Sequence, residues 1–427
     1  MLAQGESLCE SRPVLQQCRG MDLDAEILIV GAGAAGLMAA ISAGRTNPRR
    51  RIVLLDGSAR IGAKILISGG GRCNVTHDQV DETSFFGSTR PAIRKVLRRF
   101  DVPQTIRFFG ELGVELKREE TGKLFPVADR AQTVLDALLK ASQTAGVLLM
   151  QRRRVESISR TGDQFRVQGP WGSMAARKVV LATGGQSVPK TGSDGHGYDI
   201  ARGLGHSVAP LFPALVPLLL PRDHFLCELS GLSTLARLEV RAATGKQIAS
   251  FTDSTLCAHF GLTGPAVLDI SRHYLAAIKE DPQTQLVANW LPAKTQEEVD
   301  ATLRWPGPAT VLSRLRGQAP ERLLRAICTH AGTDPAMACS RLTRRARQSL
   351  LRALTRMALP VCGSRGFAVA EATAGGVLLQ EINTATMESR LCPGLYLCGE
   401  ICDVDGRIGG YNFQWAWASG YVAGRGV

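Results

Sequence analysis

Gly31-Ala32-Gly33-Ala34-Ala35-Gly36 places three glycines at the first, third and sixth positions of a small-residue run. In that spacing each glycine has its own task. The first permits a tight turn, the second lets a pyrophosphate approach the backbone, and the third packs a helix against a strand. Asp56, followed by Gly57, stands twenty residues after Gly36, where an acid reaches the ribose of a bound dinucleotide. A second group follows, with Lys64 ahead of Ser68-Gly69-Gly70-Gly71-Arg72-Cys73-Asn74. Three successive glycines expose backbone N–H groups and leave a hollow, and a cation, a thiol and an amide flank them. A plain surface turn needs no such flanks. No second dinucleotide turn exists: Gly192-Ser-Asp-Gly-His-Gly197 has the wrong spacing and follows no strand. Cys398 and Cys402 are too far apart for a C-x-x-C redox pair, and no His/Cys set converges on a metal.

These residues need elements to hold them. Ile27–Val30 reads as a strand, Ala34–Gly44 as a small-residue helix, and Ile52–Leu55 as a second strand ending at Asp56. Such a unit needs a right-handed parallel crossover. Residues 91–113 and 129–146 read as helices, and alternating stretches follow around 155–168, with Val155 an expected cofactor contact. Lys178–Ala182 reads as a buried strand running into Thr183-Gly184-Gly185. From about 210 to 295 the pattern is β-like, punctuated by Pro213, Pro217, Pro221 and Gly231. Residues 300–360 turn helical, with Leu342, Ala346, Leu350, Leu354 and Ala358 at four-residue intervals. Leu395–Cys398 is a returning strand and Gln414–Ala423 a closing helix. The expected fold class is α/β. A dinucleotide-binding domain spans 25–208 and 362–427, interrupted by a β-rich subdomain (209–298) and a basic helical one (299–361).

At 427 residues, 44% hydrophobic and 21% charged, the chain has the makings of a multidomain globular protein. No run of 18 apolar residues is present, so a spanning helix is not expected. Residues 1–24 read as a disordered lead-in without a secretory signal, and Met21 is an alternative start. Eleven cysteines on a long chain without an export signal read as free thiols in a reducing cytoplasm. The formal charge is +13, and it is unevenly spread. Residues 301–360 hold eleven arginines against Glu321 and Asp334, a net +9. Arg341, Arg344, Arg345 and Arg352 are the candidates for phosphate contacts, and a solvated helical face is the plainer alternative.

Val179-Val-Leu-Ala-Thr-Gly-Gly185 and Gly394-Leu-Tyr-Leu-Cys-Gly-Glu400 join the N-terminal turn in resembling the three signatures of glutathione-reductase-like FAD-binding flavoproteins. In those proteins the last signature sets an acid, usually Asp, near the FAD ribitol. Here Glu400 occupies that place and Asp403 lies close by, so either acid could make the contact. Lys64–Thr76, Gly122-Lys-Leu-Phe-Pro126, His259-Phe-Gly-Leu-Thr-Gly-Pro265 and Gly406-Arg-Ile-Gly-Gly-Tyr-Asn-Phe-Gln414 resemble the BaiN/RdsA (YhiN-like) family of NAD(P)/FAD-dependent oxidoreductases. The resemblance runs from about residue 25 to the end. It implies a Rossmann-like FAD-binding domain with an inserted β-barrel-like subdomain and a small helical one. It also implies noncovalent FAD, NAD(P)H as a transient donor, and hydrogenation of an activated C=C bond. The double bond would belong to a steroid-like enone or to a uridine of ribosomal RNA.

On that resemblance, Ser68–Asn74 lies against the isoalloxazine, with Gly70, Gly71 and Asn74 near its polar edge. Lys64 or Arg72 would stabilise negative charge there. Gly399, Gly409, Gly410, Tyr411, Asn412 and Phe413 would meet the flavin from the other side, where the last helix begins. The reaction needs a proton donor. Cys73 is one candidate, since a thiol is mostly protonated at neutral pH. Adjacent Arg72 favours the thiolate instead, and a buried small hydrophobe is the plain alternative. His259 is a further candidate, and Tyr411, with Asn412, is a candidate substrate contact. The expected activity is dihydrouridine formation in ribosomal RNA. A small hydrophobic enone is the alternative substrate, and a flavin-stabilised RNA-binding factor without turnover is the non-enzymatic one.

Overall fold

Ala25–Val30 is apolar at every position but Glu26, the pattern of a strand covered on both faces. It lies at the centre of a parallel sheet, between Ile52–Leu55 and Gly172–Leu181. Leu148–Met150 pairs outside the former and Leu395–Leu397 outside the latter, all parallel. In chain order these five strands run 3-2-1-4-5 across the sheet. The order reverses between the first and fourth strands, which opens a crevice beyond Val30 and Leu181. An antiparallel meander, Ser157–Thr161 with Gln164–Gly169, extends the fourth strand. A computed structural model describes residues 24–427, so the lead-in expected over 1–24 lies, apart from Asp24, outside the described residues.

Two helices cover the crevice side of the sheet. Ala34–Thr46 and Tyr411–Gly426 pack closely because small residues face each other. A Cβ on Gly420 would meet the Ala35 carbonyl oxygen, and one on Gly424 the Ala39 carbonyl oxygen. Trp415 and Trp417 anchor the closing helix, with their indole N–H groups on the Gly399 and Val75 carbonyls at 3.0 and 2.8 Å. The aromatic run is therefore core, and truncating either buried indole would cost roughly 3–5 kcal/mol.

The long helix expected over 91–113 is two helices, Arg90–Leu97 and Val102–Glu111. Asp101 breaks the chain there. Its carboxylate caps the Gln104 N–H, the Gln104 side chain returns the bond, and Pro103 occupies the first turn. The helix expected to run to Ala358 is Arg344–Thr355, capped by Thr343. Arg356 leaves helical geometry, and Met357–Leu359 becomes a strand paired with Gln285–Asn289.

The interrupting segment carries a seven-stranded antiparallel sheet around Ser233–Arg241 and Gln247–Ala258. Ser233–Arg241 alternates as a half-buried strand should, with Ala236, Leu238 and Val240 turned inward. The helices of 299–361 share that core: Leu323, Leu350 and Leu354 pack with Leu238 and Trp290. Several contacts fasten this unit to the parallel-sheet domain, among them a ring contact of Phe86 with His273. Phe212–Ala214 pairs with Ala372–Ala374, and the helix Pro265–Glu280 sets Asp269 and Arg272 against Arg407 and Asp405.

Candidate active site

The crevice left by the strand order is one cleft of about 870 Å³. Gly31, at a φ of +103°, sits so close to the end of the fourth strand that a Cβ would strike the Ala182 carbonyl oxygen. A Cβ on Gly36 would strike the Gly31 carbonyl oxygen. Gly33 differs. Its φ is −82°, it lines the cleft, and a Cβ there would meet no protein atom within 4 Å. Two glycines thus serve close packing, and the third leaves backbone open to a ligand. The helix Ala34–Thr46 begins at this point without a side-chain cap, so its first N–H groups are available. Asp56 accepts from the N–H groups of Ala32 and Ser58, each at 2.7 Å. Burial pushes its pKa up, and those two bonds offset part of the rise.

At the other end of the cleft Gly69, Gly70 and Gly71 all adopt positive φ, at 55°, 69° and 86°. Residues with a Cβ are strained there, so the run must be glycine to turn as it does. Gly409 and Gly410, at φ of 117° and 97°, face the same space and lead into the closing helix, which also lacks a side-chain cap. Two uncapped helix N-termini therefore open on one cleft, and both favour negative charge. Asn74 Oδ1 and Thr183 Oγ1 are buried without a hydrogen-bond partner, and both residues line the cleft. Leaving such atoms unpaired costs about 1–3 kcal/mol each, which a ligand's polar edge would relieve. A cradle with open backbone at Gly33, two anion-favouring ends and two orphaned polar atoms fits FAD.

Lys64, Glu400, Ser187 and Thr373 form a polar knot on the cleft wall. Lys64 Nζ lies 2.7 Å from Glu400 Oε2 and 2.8 Å from Ser187 Oγ. Ser187 Oγ and the Thr373 N–H reach Glu400 Oε1 at 2.7 and 2.8 Å. Burial pushes the Glu400 pKa up, but the Lys64 ammonium and these hydrogen bonds outweigh it and hold it low. Gly185 packs against this knot, its hydrogen face toward Thr373 and Glu400. Asp403, in contrast, is buried beside Asp405, which with desolvation pushes its pKa up to about 6. Of the two acids left open by the sequence, Glu400 lines the cleft and Asp403 does not.

Most of the other expected cofactor contacts line the cleft, including Gly57, Ser68, Arg72, Val155, Gly184 and Phe413. Ala32, Gly36 and Gly185 stand behind it as supports, and Gly71 is exposed outside it. Arg72 is held by Glu119 at 2.6 Å over the Phe125 ring. Asn412 uses its amide to clamp the Gly406 backbone, at 2.9 and 3.0 Å.

The three expected catalytic residues are placed elsewhere. Cys73 is fully buried with its backbone at φ +62°, and burial pushes its thiol pKa up to about 12. It does not reach the cleft, so its thiol packs as a small apolar group. His259 sits exposed in the turn between Gln247–Ala258 and Gly261–Thr263, beside Phe260 and outside the cleft. Tyr411 is buried, with its ring stacked on His77 at 5.0 Å. In their place the cleft presents Lys123, Glu371 and Arg407. Lys123 and Arg407 fall inside motifs already noted, whereas no motif surrounds Glu371. Arg407 is aimed by Asp269, a buried carboxylate of the inserted unit, at 3.0 Å.

The arginine-rich segment is less uniformly cationic than its count suggests. Asp300 pairs with Arg304 and Arg347, and Glu321 with Arg316 and Arg325. Arg341, Arg344, Arg345 and Arg352 are exposed and make no ion pair among the described residues. Arg341 precedes the helix rather than lying on it, and none of the eleven arginines lines the cleft. No helix among the described residues is long and apolar enough to cross a membrane.

Residues 25–426 match the family model described as the HI0933-like protein Rossmann domain. The chain is 34% identical over 402 residues to the 3-dehydro-bile acid delta(4,6)-reductase of Clostridium scindens, covering 93% of this chain and 97% of that one. It is also 34% identical over 398 residues to the ribosomal RNA dihydrouridine synthase of Escherichia coli, covering 93% and 96%. Among solved structures, the FrdA chain of E. coli quinol fumarate reductase superposes with a TM-score of 0.50 at 17% identity. That likeness covers 94% of this chain and 69% of the other, and it shows a common fold.

Proposed function

Since the chain belongs to the HI0933-like Rossmann-domain family of FAD-dependent oxidoreductases acting on C=C bonds, we propose that it hydrogenates a double bond conjugated to a carbonyl, that of a ribosomal RNA uridine. The observation that carries this reading is the single cleft joining the Gly33 turn to the Ser68–Asn74 and Gly409–Phe413 loops, with polar side chains at the latter end. Bound FAD, when reduced, supplies hydride to the carbon β to the carbonyl.

The chain's own residues do the rest. Gly33 and the N–H groups of Ala34 and Ala35 hold the pyrophosphate, and Asp56 the ribose. Lys64, fixed by Glu400 and Ser187, and the uncapped N-terminus of Tyr411–Gly426 stabilise negative charge at the far end. Arg407, braced by Asp269, takes the substrate carbonyl oxygen and withdraws charge from the double bond. NAD(P)H is the donor, entering the same cleft in the substrate's place, because the chain has no second dinucleotide turn.

Both named relatives saturate bonds of this electronic type, so the surface must separate them. Arg341, Arg344, Arg345 and Arg352, exposed, without an ion pair among the described residues and outside the cleft, support a substrate larger than the cleft, such as RNA. A ribosomal RNA substrate and free thiols both suit a cytoplasmic enzyme. Nucleoside mass spectrometry of ribosomal RNA from cells with and without the gene tests this. Loss of one dihydrouridine is expected. Unchanged RNA, with turnover of a 3-oxo-Δ4 steroid by the purified protein, would transfer the reading to the small enone.

A further inference from the structure

We propose that Glu371 is the catalytic proton donor to the substrate carbon, an assignment that rests on the double-bond reading above. The argument starts from what the cleft offers. Among the described residues no cysteine or tyrosine lines it, and its one histidine, His196, sits beside Asp194 with Nε2 on the Glu156 carbonyl at 2.8 Å. Besides the ammonium groups of Lys64, Lys123 and Lys190, five carboxyl groups line the cleft. Asp56 holds two backbone N–H groups, and Glu119 holds Arg72. Asp194 holds Arg154 and the His196 N–H, and Glu400 holds Lys64, Ser187 and Thr373. Only the Glu371 carboxyl receives no hydrogen bond and no ion pair within 4 Å from a described residue.

Its main chain, by contrast, is fixed. The Glu371 N–H donates to the Leu215 carbonyl at 3.2 Å, and Ser187 Oγ lies 3.5 Å from the Glu371 carbonyl oxygen. Glu371 therefore stands on the wall that carries Lys64 and Glu400, where the chain returns from the inserted unit. A positioned backbone with an uncommitted carboxyl facing a cleft is what a general acid requires. Two charged groups act on it. Glu371 is exposed to solvent at the mouth of the cleft, so the desolvation that pushes its pKa up is partial; the Lys123 ammonium opposes that rise and the Asp269 carboxylate adds to it. The balance is upward, so the carboxyl keeps its proton to higher pH than a free glutamate.

The step balances. Hydride delivery to the β carbon leaves an enolate, whose π pair takes the Glu371 proton at the α carbon. One O–H bond breaks, one C–H bond forms and the carbonyl is restored. The carboxylate then regains a proton from solvent at the open side of the cleft. Cys73 and Tyr411, both out of reach, have no part in it.

Glu371→Gln keeps the shape and removes the proton, and Glu371→Asp keeps the proton on a shorter arm. Holoenzyme reduced with dithionite is mixed with 4-androstene-3,17-dione, or with ribosomal RNA from cells lacking the protein, and flavin absorbance is followed. E371Q should reoxidise about 10²–10⁴-fold more slowly than wild type with the effective probe, yet equally fast with dioxygen. E371D should recover part of the rate. Independently of turnover, infrared titration of the protein should show a protonated carboxyl band, absent from E371Q, that persists to higher pH than that of a free glutamate. Normal probe reduction by E371Q, or no such band in wild type, would overturn the assignment. If neither probe reoxidises the wild-type enzyme, the double-bond reading itself fails and this role falls with it.

Discussion

Lys64 Nζ lies 2.7 Å from Glu400 Oε2 although 336 residues separate them, and this ion pair ties the second strand's loop to the returning strand. Side-chain exposures of 28% and 19% place it between a surface pair and a buried one. Lys64→Met should therefore destabilise the fold by roughly 1–3 kcal/mol, below the figure for a fully buried pair. The sign of its pH dependence follows from Glu400, whose pKa Lys64 helps to hold low. That contribution is present above the unfolded carboxylate pKa and disappears as pH falls through the folded one. The gap in melting temperature between wild type and K64M should be widest near pH 7 and narrow only as pH falls below the ordinary carboxylate range. A gap that widens on acidification would contradict the pairing.

Gly33 and Gly36 make opposite predictions although both belong to one motif. Gly33→Val places its side chain in the cleft at an ordinary φ, so the apoprotein should fold within about 0.5–1 kcal/mol of wild type. Its FAD content after purification should fall to near zero. Gly36→Ala drives a methyl into the Gly31 carbonyl oxygen and should reduce soluble yield before any cofactor question arises. Heat-released cofactor from wild type identifies the ligand directly; FMN in place of FAD would break the assignment of residues 31–36.

Cys73 should prove inert. A fully buried thiol with its pKa pushed up to about 12 is not a thiolate at any working pH. Iodoacetamide should leave Cys73 unmodified in the folded protein, as peptide mass spectrometry would show. Cys73→Ala should slow substrate reduction by far less than the roughly 10²-fold minimum for a lost general acid. A larger loss with normal flavin content would restore the thiol to the mechanism.

The cofactor end of this site is legible in sequence because its constraints are local. A strand, three spaced glycines, a helix and an acid must follow one another for the turn to work, so Gly31 to Asp56 announces itself. Helix ends were misjudged where a single side chain decides them, as Asp101 does by capping Gln104. Chemistry is less legible because it depends on long-range placement. Cys73 looks reactive beside Arg72, yet their side chains part company: Arg72 lies on Phe125 facing the cleft and Cys73 turns into the core. Glu371 sits between two alanines with no pattern around it. It reaches the cleft only because Ala372–Ala374 pairs with Phe212–Ala214 across the base of the insertion.

The inserted unit is held over the cleft by two ion pairs, and one should matter far more to stability. Arg272 binds Asp405 in a bidentate contact at 2.7 and 3.0 Å, and the carboxylate is almost completely buried. Arg272→Met strands that carboxylate and should cost about 3–5 kcal/mol, seen as a lower urea midpoint. Arg407→Lys keeps a charge near Asp269 but loses the fork that grips it. It should change melting temperature little while raising KM for substrate and leaving FAD content intact. Equal stability losses in the two variants would mean that Arg407 is structural.

RNA binding, if the exposed arginines mediate it, must carry an ionic signature. Arg341, Arg344, Arg345 and Arg352 stand free of the acids that neutralise Arg304, Arg316, Arg325 and Arg347. Trp305 is the one Phe, Tyr or Trp of 301–360, and Arg314 covers its ring at 4.3 Å, so this surface offers no free Phe, Tyr or Trp ring for base stacking. Backbone phosphates are the remaining target, and each contact to a single strand contributes about −0.7 to the log–log salt slope. Because no arginine of the segment lines the cleft, the target base must leave its stack and travel to the reacting end. Replacing Arg341, Arg345 and Arg352 together by Glu should flatten the slope by about 2 and weaken RNA binding at low salt. FAD content and reoxidation by dioxygen should not change, since the three lie outside the cleft. Filter binding across a salt series reads the slope. An unaltered slope would move the RNA contact to another face of the protein. RNA binding that is absent in wild type, with salt-independent reduction of a steroid enone, would end the RNA reading altogether.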